Sequence, residues 1–103
     1  MAVITATLSE ETRELVIRID GRFDFGCHQQ FREAFERYLP AKDIKVVVDL
    51  GSTSYLDSSA LGMLLLLRDH AGGEKADIRL INASSDVKKI LGISNFTQLF
   101  SVD

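Results

Sequence analysis

The side chains best suited to chemistry in this sequence are three consecutive polar residues, Asp57, Ser58 and Ser59. They precede the stretch 60–70, which has no β-branched residue and one glycine and therefore predicts a helix. Asp and Ser are favoured at helix N-caps, so both hydroxyls are expected where backbone N–H groups point outward. A serine there can accept a phosphate from another protein, which adds about 1.5–2 negative charges at pH 7. The helix N-terminus favours such a charge by about 0.3–1 kcal/mol. The simpler alternative is that Ser58 and Ser59 only cap the helix.

The sequence does not support an enzyme with its own catalytic site. A serine, an aspartate and a histidine could suggest a hydrolase triad, but there is no G-x-S-x-G elbow, and neither His28 nor His70 is placed against a serine. Cys27 and His28 are adjacent without a second Cys or His nearby, so no metal site is expected. Gly72 and Gly73 follow the predicted helix and lack the Lys-Ser or Lys-Thr of a phosphate-binding loop. We therefore expect a non-enzymatic protein without a cofactor.

The predicted helix 60–70 is more apolar than a one-sided surface helix requires. Its apolar residues cover an arc of about 260°, whereas a surface helix needs about 100°. These residues are Ala60, Leu61, Met63, Leu64, Leu65, Leu66 and Leu67. Either the helix is deeply buried, or one flank near Leu65 or Leu66 faces a partner, and the pattern leaves both interpretations open.

The arc divides into a core face and a candidate partner face. Leu61, Leu64 and Leu67 share one side and are expected in the core, whereas Leu66 lies next to the stripe that contains Gly62 and Asp69. Glycine there permits close approach because it has no Cβ. The predicted partner surface comprises Asp24, Ser58, Ser59, Gly62 and Leu66.

Composition narrows the class of protein. The chain has 103 residues and a hydrophobic fraction of 46%, which indicates one domain, residues 1–103, with a real core. A net charge of −3 without a basic stripe argues against nucleic-acid binding. No apolar run approaches the ~18 residues of a membrane span, and 1–5 does not have the pattern of a secretory signal. Cys27 is alone, so a reduced, cytoplasmic location is the default expectation.

Hydrophobic periodicity predicts an α/β domain with the order β-β-α-β-α-β-α followed by a C-terminal tail. The first predicted elements are strands 3–8 and 15–20 in an antiparallel hairpin, a loop 21–26 and a helix 27–39 ended by Pro40. They are followed by strand 46–49, helix 60–70, strand 77–81 and a short helix around 87–91 with Gly92 as its C′ residue. The apolar tail 94–103 is expected to pack back on the domain, with an edge strand as one form it can take. Strands 46–49 and 77–81 must be parallel, because a crossover joins them. We expect a mixed sheet with helices packed mainly on one face.

Three segments resemble the STAS domain of bacterial anti-sigma factor antagonists. They are the strand and D-S-S motif, V-V-V-D-L at 46–50 and Y-L-D-S-S-A-L-G at 55–62, then G-R-F-D at 21–24, and N-A-S-S-D-V at 82–87 with the residues through Gly92. The resemblance covers almost the whole chain and implies a single STAS domain. Among these antagonists the sequence is most similar to the HsbA type, whose partners include response-regulator switches.

The resemblance implies a partner switch controlled by phosphorylation. The second serine of D-S-S, here Ser59, is the phosphate acceptor of the family, and Asp57 and Asp24 match its neighbouring carboxylates. Ala60 stands where many members have glycine. The unphosphorylated protein would bind an anti-sigma factor, a serine kinase would break the complex, and a PP2C-type phosphatase would restore it. Nucleotide and Mg²⁺ would belong to the kinase.

Two other functions are compatible with the same family. One is a docking subunit of an ABC-type lipid or solute transporter, which would need no phosphate switch, although the retained serine pair argues moderately against it. The other is a regulator of another signalling enzyme, such as a kinase or a nucleotide cyclase. The partner recovered with the protein would separate these functions.

Overall fold

In the computed structural model the longest strand, Glu14–Phe23, pairs with three other strands. The structure describes residues 2–39, 43–93 and 95–103. The strands and helices are β1 (Val3–Ser9), β2 (Glu14–Phe23), α1 (His28–Glu36), β3 (Lys45–Asp49), β4 (Thr53–Leu56), α2 (Ser58–His70), β5 (Ile78–Ile81), α3 (Ser85–Ile93) and β6 (Ser101–Val102). Short 3₁₀ turns lie at Phe25–Cys27, Gly73–Lys75 and Phe96–Gln98.

The sheet is mixed, as predicted, with the strand order β1-β2-β3-β5-β6. β1 pairs with β2 in antiparallel orientation, and β3, β5 and β6 continue the sheet in parallel. β4 lies off this path, because it pairs with the far end of β2 beyond the point where β3 ends. The carboxyl end of β2 is therefore held by β4, and the loop that follows it starts from a fixed position.

One face of the sheet forms the core together with the helices. In β2, Leu15, Ile17 and Ile19 are buried and alternate with more accessible residues, as a strand with one buried face requires. All three helices contribute to the same hydrophobic cluster, through Phe31, Phe35, Ala60, Met63, Leu64, Leu67, Val87 and Leu91. The expected fold class, with helices packed on one face, is confirmed. Among the described residues, no helix has the length and apolarity needed to cross a membrane.

Several element boundaries differ from the sequence prediction. The polar residues 51–54 predict a loop after strand 46–49, but Thr53 and Ser54 belong to β4, since residues 53–56 can pair with residues 21–23, which extend β2. Gly21 was predicted to lie in a loop. It lies inside β2 with φ of 105°, where the register between β2 and β4 shifts, and a residue with a Cβ rarely adopts this angle.

The helix ends also differ in part. α1 covers 28–36, so it ends three residues before the predicted end at Leu39, and Cys27 belongs to the preceding 3₁₀ turn. Pro40, the predicted stop, lies outside the described residues. Gly92 was expected to terminate α3, but it lies within that helix, and Asn95 is the residue that follows with a left-handed conformation at φ 60°. Asn tolerates this conformation because its short side chain can bond locally. The stop of α2 at Gly72 and Gly73, with φ of 119° and 63°, is as predicted.

Candidate functional site

The carboxylate of Asp57 joins the start of α2 to the loop after β2. Asp57 has an extended backbone and caps α2, since its Oδ1 accepts a hydrogen bond from the backbone N of Ala60 at 2.8 Å. Its Oδ2 accepts a second hydrogen bond from the backbone N of Phe25 at 3.2 Å. Ser58 is the first residue of α2 and Asp57 occupies the cap, so the alternative in which the serines cap the helix is wrong. Both carboxylate oxygens of Asp57 therefore accept hydrogen bonds, and together they connect the start of α2 to the loop after β2.

The carboxylate of Asp24 caps the neighbouring turn, as that of Asp57 caps α2. Its Oδ1 accepts a hydrogen bond from the backbone N of Gly26 at 3.0 Å and so caps the 3₁₀ turn Phe25–Cys27. Its Oδ2 lies 3.7 Å from Nε of Arg22, whose guanidinium lies 4.4 Å from the ring centroid of Tyr55. The carboxylate therefore shapes the loop beside the start of α2, close to the predicted position of the site.

A small, mainly apolar groove lies between this turn and α2. Its volume is about 220 Å³. The side that α2 contributes contains Ser59, Gly62 and Leu66, three of the predicted site residues. The complete lining, called the α2 groove below, is Phe25, His28, Ser59, Gly62, Met63 and Leu66. Asp24 and Ser58, which also belong to the predicted partner surface, do not line the groove, and the sequence did not predict the opposite wall.

Phe25 and His28 form that opposite wall. Phe25 is 71% exposed, a large fraction for a phenylalanine, and its ring centroid lies 6.2 Å from that of His28. A Phe flanked by Asp24 and Gly26 in a predicted loop was a signal available in the sequence, because loops lie on the surface and leave such a ring few neighbours.

The two serines of the motif differ in position. Ser58 is exposed and does not line the α2 groove, whereas Ser59 is half-buried and does. Successive helical residues are rotated by about 100°, so substituents on the two hydroxyls point in different directions. The site therefore brings Ser59 against the groove and leaves Ser58 on the solvent side of α2.

The exposed flank of α2 retains apolar surface. Leu64 and Leu67 are buried as predicted, Leu61 is half-buried, and Leu65 is 39% exposed. Leu66 is half-buried at the α2 groove, and Gly62 beside it is exposed; apart from its chain neighbours and the backbone of its own helix, no atom lies within 4 Å of the position a Cβ would occupy. The helix is therefore buried along one face only, and apolar side chains continue around it to the groove.

Among the described residues, no group of three or more His, Cys, Asp and Glu side chains is arranged to hold a metal ion. The geometry combines an apolar groove, which Ser59 helps to line, with two carboxylates fixed nearby by hydrogen bonds to the backbone.

Comparison with known proteins identifies the family. Residues 6–101 match the family model described as "Mlab, STAS domain", and the chain belongs to this STAS family. A STAS-domain-containing protein of Pseudomonas aeruginosa (strain UCBPP-PA14) is 62% identical over 99 residues, which cover 96% of this chain and 97% of the relative.

Solved structures share the fold at low sequence identity. A putative anti-sigma factor antagonist from Thermotoga maritima superposes with a TM-score of 0.81 at 12% identity, over 96% of this chain and 84% of that one. The phosphorylated form of the Bacillus cell fate determinant SpoIIAA gives 0.73 at 18% identity, over 98% and 91%. A sulfate transporter family protein from Wolinella succinogenes gives 0.70 at 12% identity, over 89% and 73%. The fold is therefore shared by antagonists of anti-sigma factors and by a transporter protein.

Proposed function

We propose that this protein is an anti-sigma factor antagonist that works by partner switching. The unphosphorylated chain binds an anti-sigma factor or a related regulator through the α2 groove, and phosphorylation of Ser59 releases the partner. The observation that carries the proposal is the position of Ser59, whose hydroxyl lines an apolar groove at the start of a helix. The existence of a phosphorylated form of SpoIIAA, which has the same fold, supports it.

The groove accounts for binding in the unphosphorylated state. Phe25, Met63 and Leu66 provide apolar walls, and Gly62 leaves room for close contact. An apolar side chain of a partner that fills this groove would bury the exposed ring of Phe25, and burial of apolar surface contributes about 25 cal/mol per Å². Because the walls come from two segments joined by Asp57, the groove is formed before a partner binds.

Phosphorylation then changes the charge of the same surface. A phosphate on Ser59 would lie at the edge of the α2 groove, where a bound partner excludes water, and a dianion loses its hydration there. In the free protein the phosphate stays in water beside the N-terminus of α2, which favours negative charge. The complex is destabilised more than the free protein, so the partner dissociates while the fold persists.

The same geometry supports Ser59 over Ser58 as the acceptor. A phosphate on Ser58 would project from the solvent side of α2, away from the α2 groove, and would add charge without entering the contact area. Mass spectrometry after incubation with the cognate kinase and ATP should map the phosphate to Ser59. Phosphate on Ser58, or phosphorylation that persists in Ser59→Ala, would contradict the assignment.

The proposal implies three kinds of protein partner, all acting in the cytoplasm. These are the anti-sigma factor, a serine kinase that supplies ATP and Mg²⁺, and a PP2C-type phosphatase, or a response regulator that combines such activities. The chain itself would provide no catalytic group, in keeping with the structural engagement of Asp24 and Asp57.

A pull-down with four baits tests the function. Wild type and Ser59→Ala should recover an anti-sigma factor or a kinase/phosphatase regulator, and Ser59→Asp should lose it. Ser58→Asp is the matched control, since it adds the same charge one residue away and should retain the partner. Recovery of a transporter ATPase by all four baits would instead support the docking-subunit alternative, and another signalling enzyme held equally by all four would support the third function.

A further inference from the structure

Strand β1 forms an outer edge of the sheet and carries no charged residue. Its sequence is V-I-T-A-T-L-S over Val3–Ser9, and within the described residues it pairs only with β2. Edge strands of soluble proteins usually carry charges, prolines or bulges that prevent pairing with another chain. β1 has none of these, and its seven residues pair with β2 in unbroken register.

The hydrogen-bond pattern shows which backbone groups β1 presents at this edge. The backbone N of Lys45 in β3 donates to the carbonyl O of Arg13, so odd-numbered residues of β2 face β3 and even-numbered ones face β1. The register then pairs the even residues with odd-numbered residues of β1, for example Val16 with Thr7. The N–H and C=O groups of Ile4, Ala6 and Leu8 consequently point outward from the sheet.

A hollow of about 220 Å³ lies on the helix side of this edge. Its β1 part is formed by Ile4 and Ala6, and its α1 part carries an acidic and a basic side chain one helical turn apart, Glu33 and Arg37. Both charged residues are exposed. The edge therefore combines unpaired backbone, small or apolar side chains and two opposite charges at a spacing of four residues.

We propose that this edge binds a second copy of the same chain, with the two β1 strands antiparallel about a twofold axis at Ala6. In that register Ile4 of one copy stands opposite Leu8 of the other on the helix side, and Ala6 stands opposite Ala6. The outward-pointing groups of the two strands then face each other as hydrogen-bonded pairs. The twofold axis also makes the two α1 helices antiparallel, and Glu33 of each copy faces Arg37 of the other.

Charge complementarity selects a second copy over an unrelated strand. In a twofold-symmetric dimer, Glu33 of each copy faces Arg37 of the other copy, so the two ion pairs form together. A strand from another protein could use the backbone groups of β1 but would have to supply the matching charges on a helix of its own. Seven residues and one helix flank form a contact near the lower limit for specific interfaces, so a micromolar dimer is expected.

Sedimentation equilibrium of the full chain over a hundredfold concentration range tests the proposal. Wild type should show a reversible monomer–dimer equilibrium. Ala6→Pro should weaken it at least about tenfold, because proline removes an outward N–H and blocks pairing while edge strands tolerate it. Glu33→Arg and Arg37→Glu should each weaken the dimer by about fivefold to tenfold, and the double exchange should restore it.

If Ala6→Pro fails to fold, the Glu33→Arg and Arg37→Glu variants still test the proposal. Both residues lie on the surface, so their exchange should leave the fold intact. Leu66→Lys is the control for the unrelated α2 groove and should leave the dimer unchanged. A wild type that is monomeric at every concentration would overturn the proposal. So would a dimer that is insensitive to both the proline and the single charge changes, since its contact would then lie elsewhere.

Discussion

Replacement of Asp57 by alanine tests the feature on which the whole site depends. The variant loses the N-cap bond to Ala60, which is worth about 0.5–2 kcal/mol, and the bond to the backbone N of Phe25, worth about 0.5–1.5 kcal/mol. The sum predicts a loss of roughly 1–3.5 kcal/mol in the free energy of unfolding. For a domain of this size, at about 4–8 °C per kcal/mol, that corresponds to a decrease in Tm of roughly 4–28 °C.

Urea titration and thermal melts measure this loss, and two further variants control for it. Ser58→Ala removes a hydroxyl that does not cap α2 and should change stability by less than about 0.5 kcal/mol. Asp57→Asn keeps a carbonyl acceptor for the cap but presents an amide to the Phe25 N–H. Its loss in the free energy of unfolding should therefore lie between those of Asp57→Ala and Ser58→Ala. Equal losses from Asp57→Ala and Ser58→Ala would refute the assignment of the cap.

A local measurement separates the two hydrogen bonds. In Asp57→Ala the amide of Phe25 loses its acceptor, so its hydrogen exchange should accelerate relative to the core amides of β2. The same variant should weaken partner binding beyond what its lower stability explains, because one wall of the α2 groove is no longer fixed. An unchanged exchange rate at Phe25 would show that the turn is held by other contacts, such as the cap from Asp24.

Three further predictions concern α2. Leu64→Ala should lower the free energy of unfolding by about 2–5 kcal/mol, since Leu64 is fully buried, whereas Leu65→Ala, at a 39% exposed position, should cost less than about 1 kcal/mol in the same urea titrations. Leu66→Lys should have a Tm close to that of wild type but should bind its partner more weakly in a titration. If the variant is unfolded, Leu66 is a core residue. If it binds at full strength, the interface lies elsewhere. Phosphorylation of Ser59 should shift backbone amide resonances mainly around the α2 groove and little over 78–91, so shifts across the sheet would contradict an effect of local charge.

The sequence predicted those elements whose residue pattern is sufficient on its own. The β-branched run at 46–48 and the alternation around 78–80 define the central parallel strands, and their burial on the core face follows from it. α2 was predictable because a run of strong helix formers is bounded by cap residues and by two glycines. The family resemblance and the position of Ser59 at the start of α2 depend on the same stretch.

β4 was not predictable from its own residues. Thr53 and Ser54 follow Gly51 and Ser52, a composition typical of a loop. They become strand because the far end of β2 offers free backbone groups, and because the hydroxyl of Thr53 donates to the carbonyl O of Ile19 at 2.8 Å in a buried position. Such pairing depends on tertiary structure, which overrides local preference.

The wall formed by Phe25 and the identity of the cap were missed for a related reason. Asp57 and Ser58 are both good caps, and the choice between them depends on backbone conformation, which local sequence does not settle. The second oxygen of Asp57 has a partner only because β2 and β4 end side by side. Sequence analysis could thus name some residues of the candidate site, such as Asp57 and Ser59, but neither its Phe25 wall nor the hydrogen bonds that assemble it.

The path of the backbone gives a physical reason to expect that a phosphate on Ser59 would act without a change of fold. β2 leads into the Phe25 turn and β4 leads into α2, and the two strands are parallel neighbours up to Phe23 and Leu56. The backbone N of Asp57 then donates to the carbonyl O of Phe23 at 3.3 Å, and its carboxylate binds the backbone of both following segments. Ser59 takes no part in these bonds, so a phosphate added to it alters the charge of the α2 groove while the contacts that shape the groove remain in place.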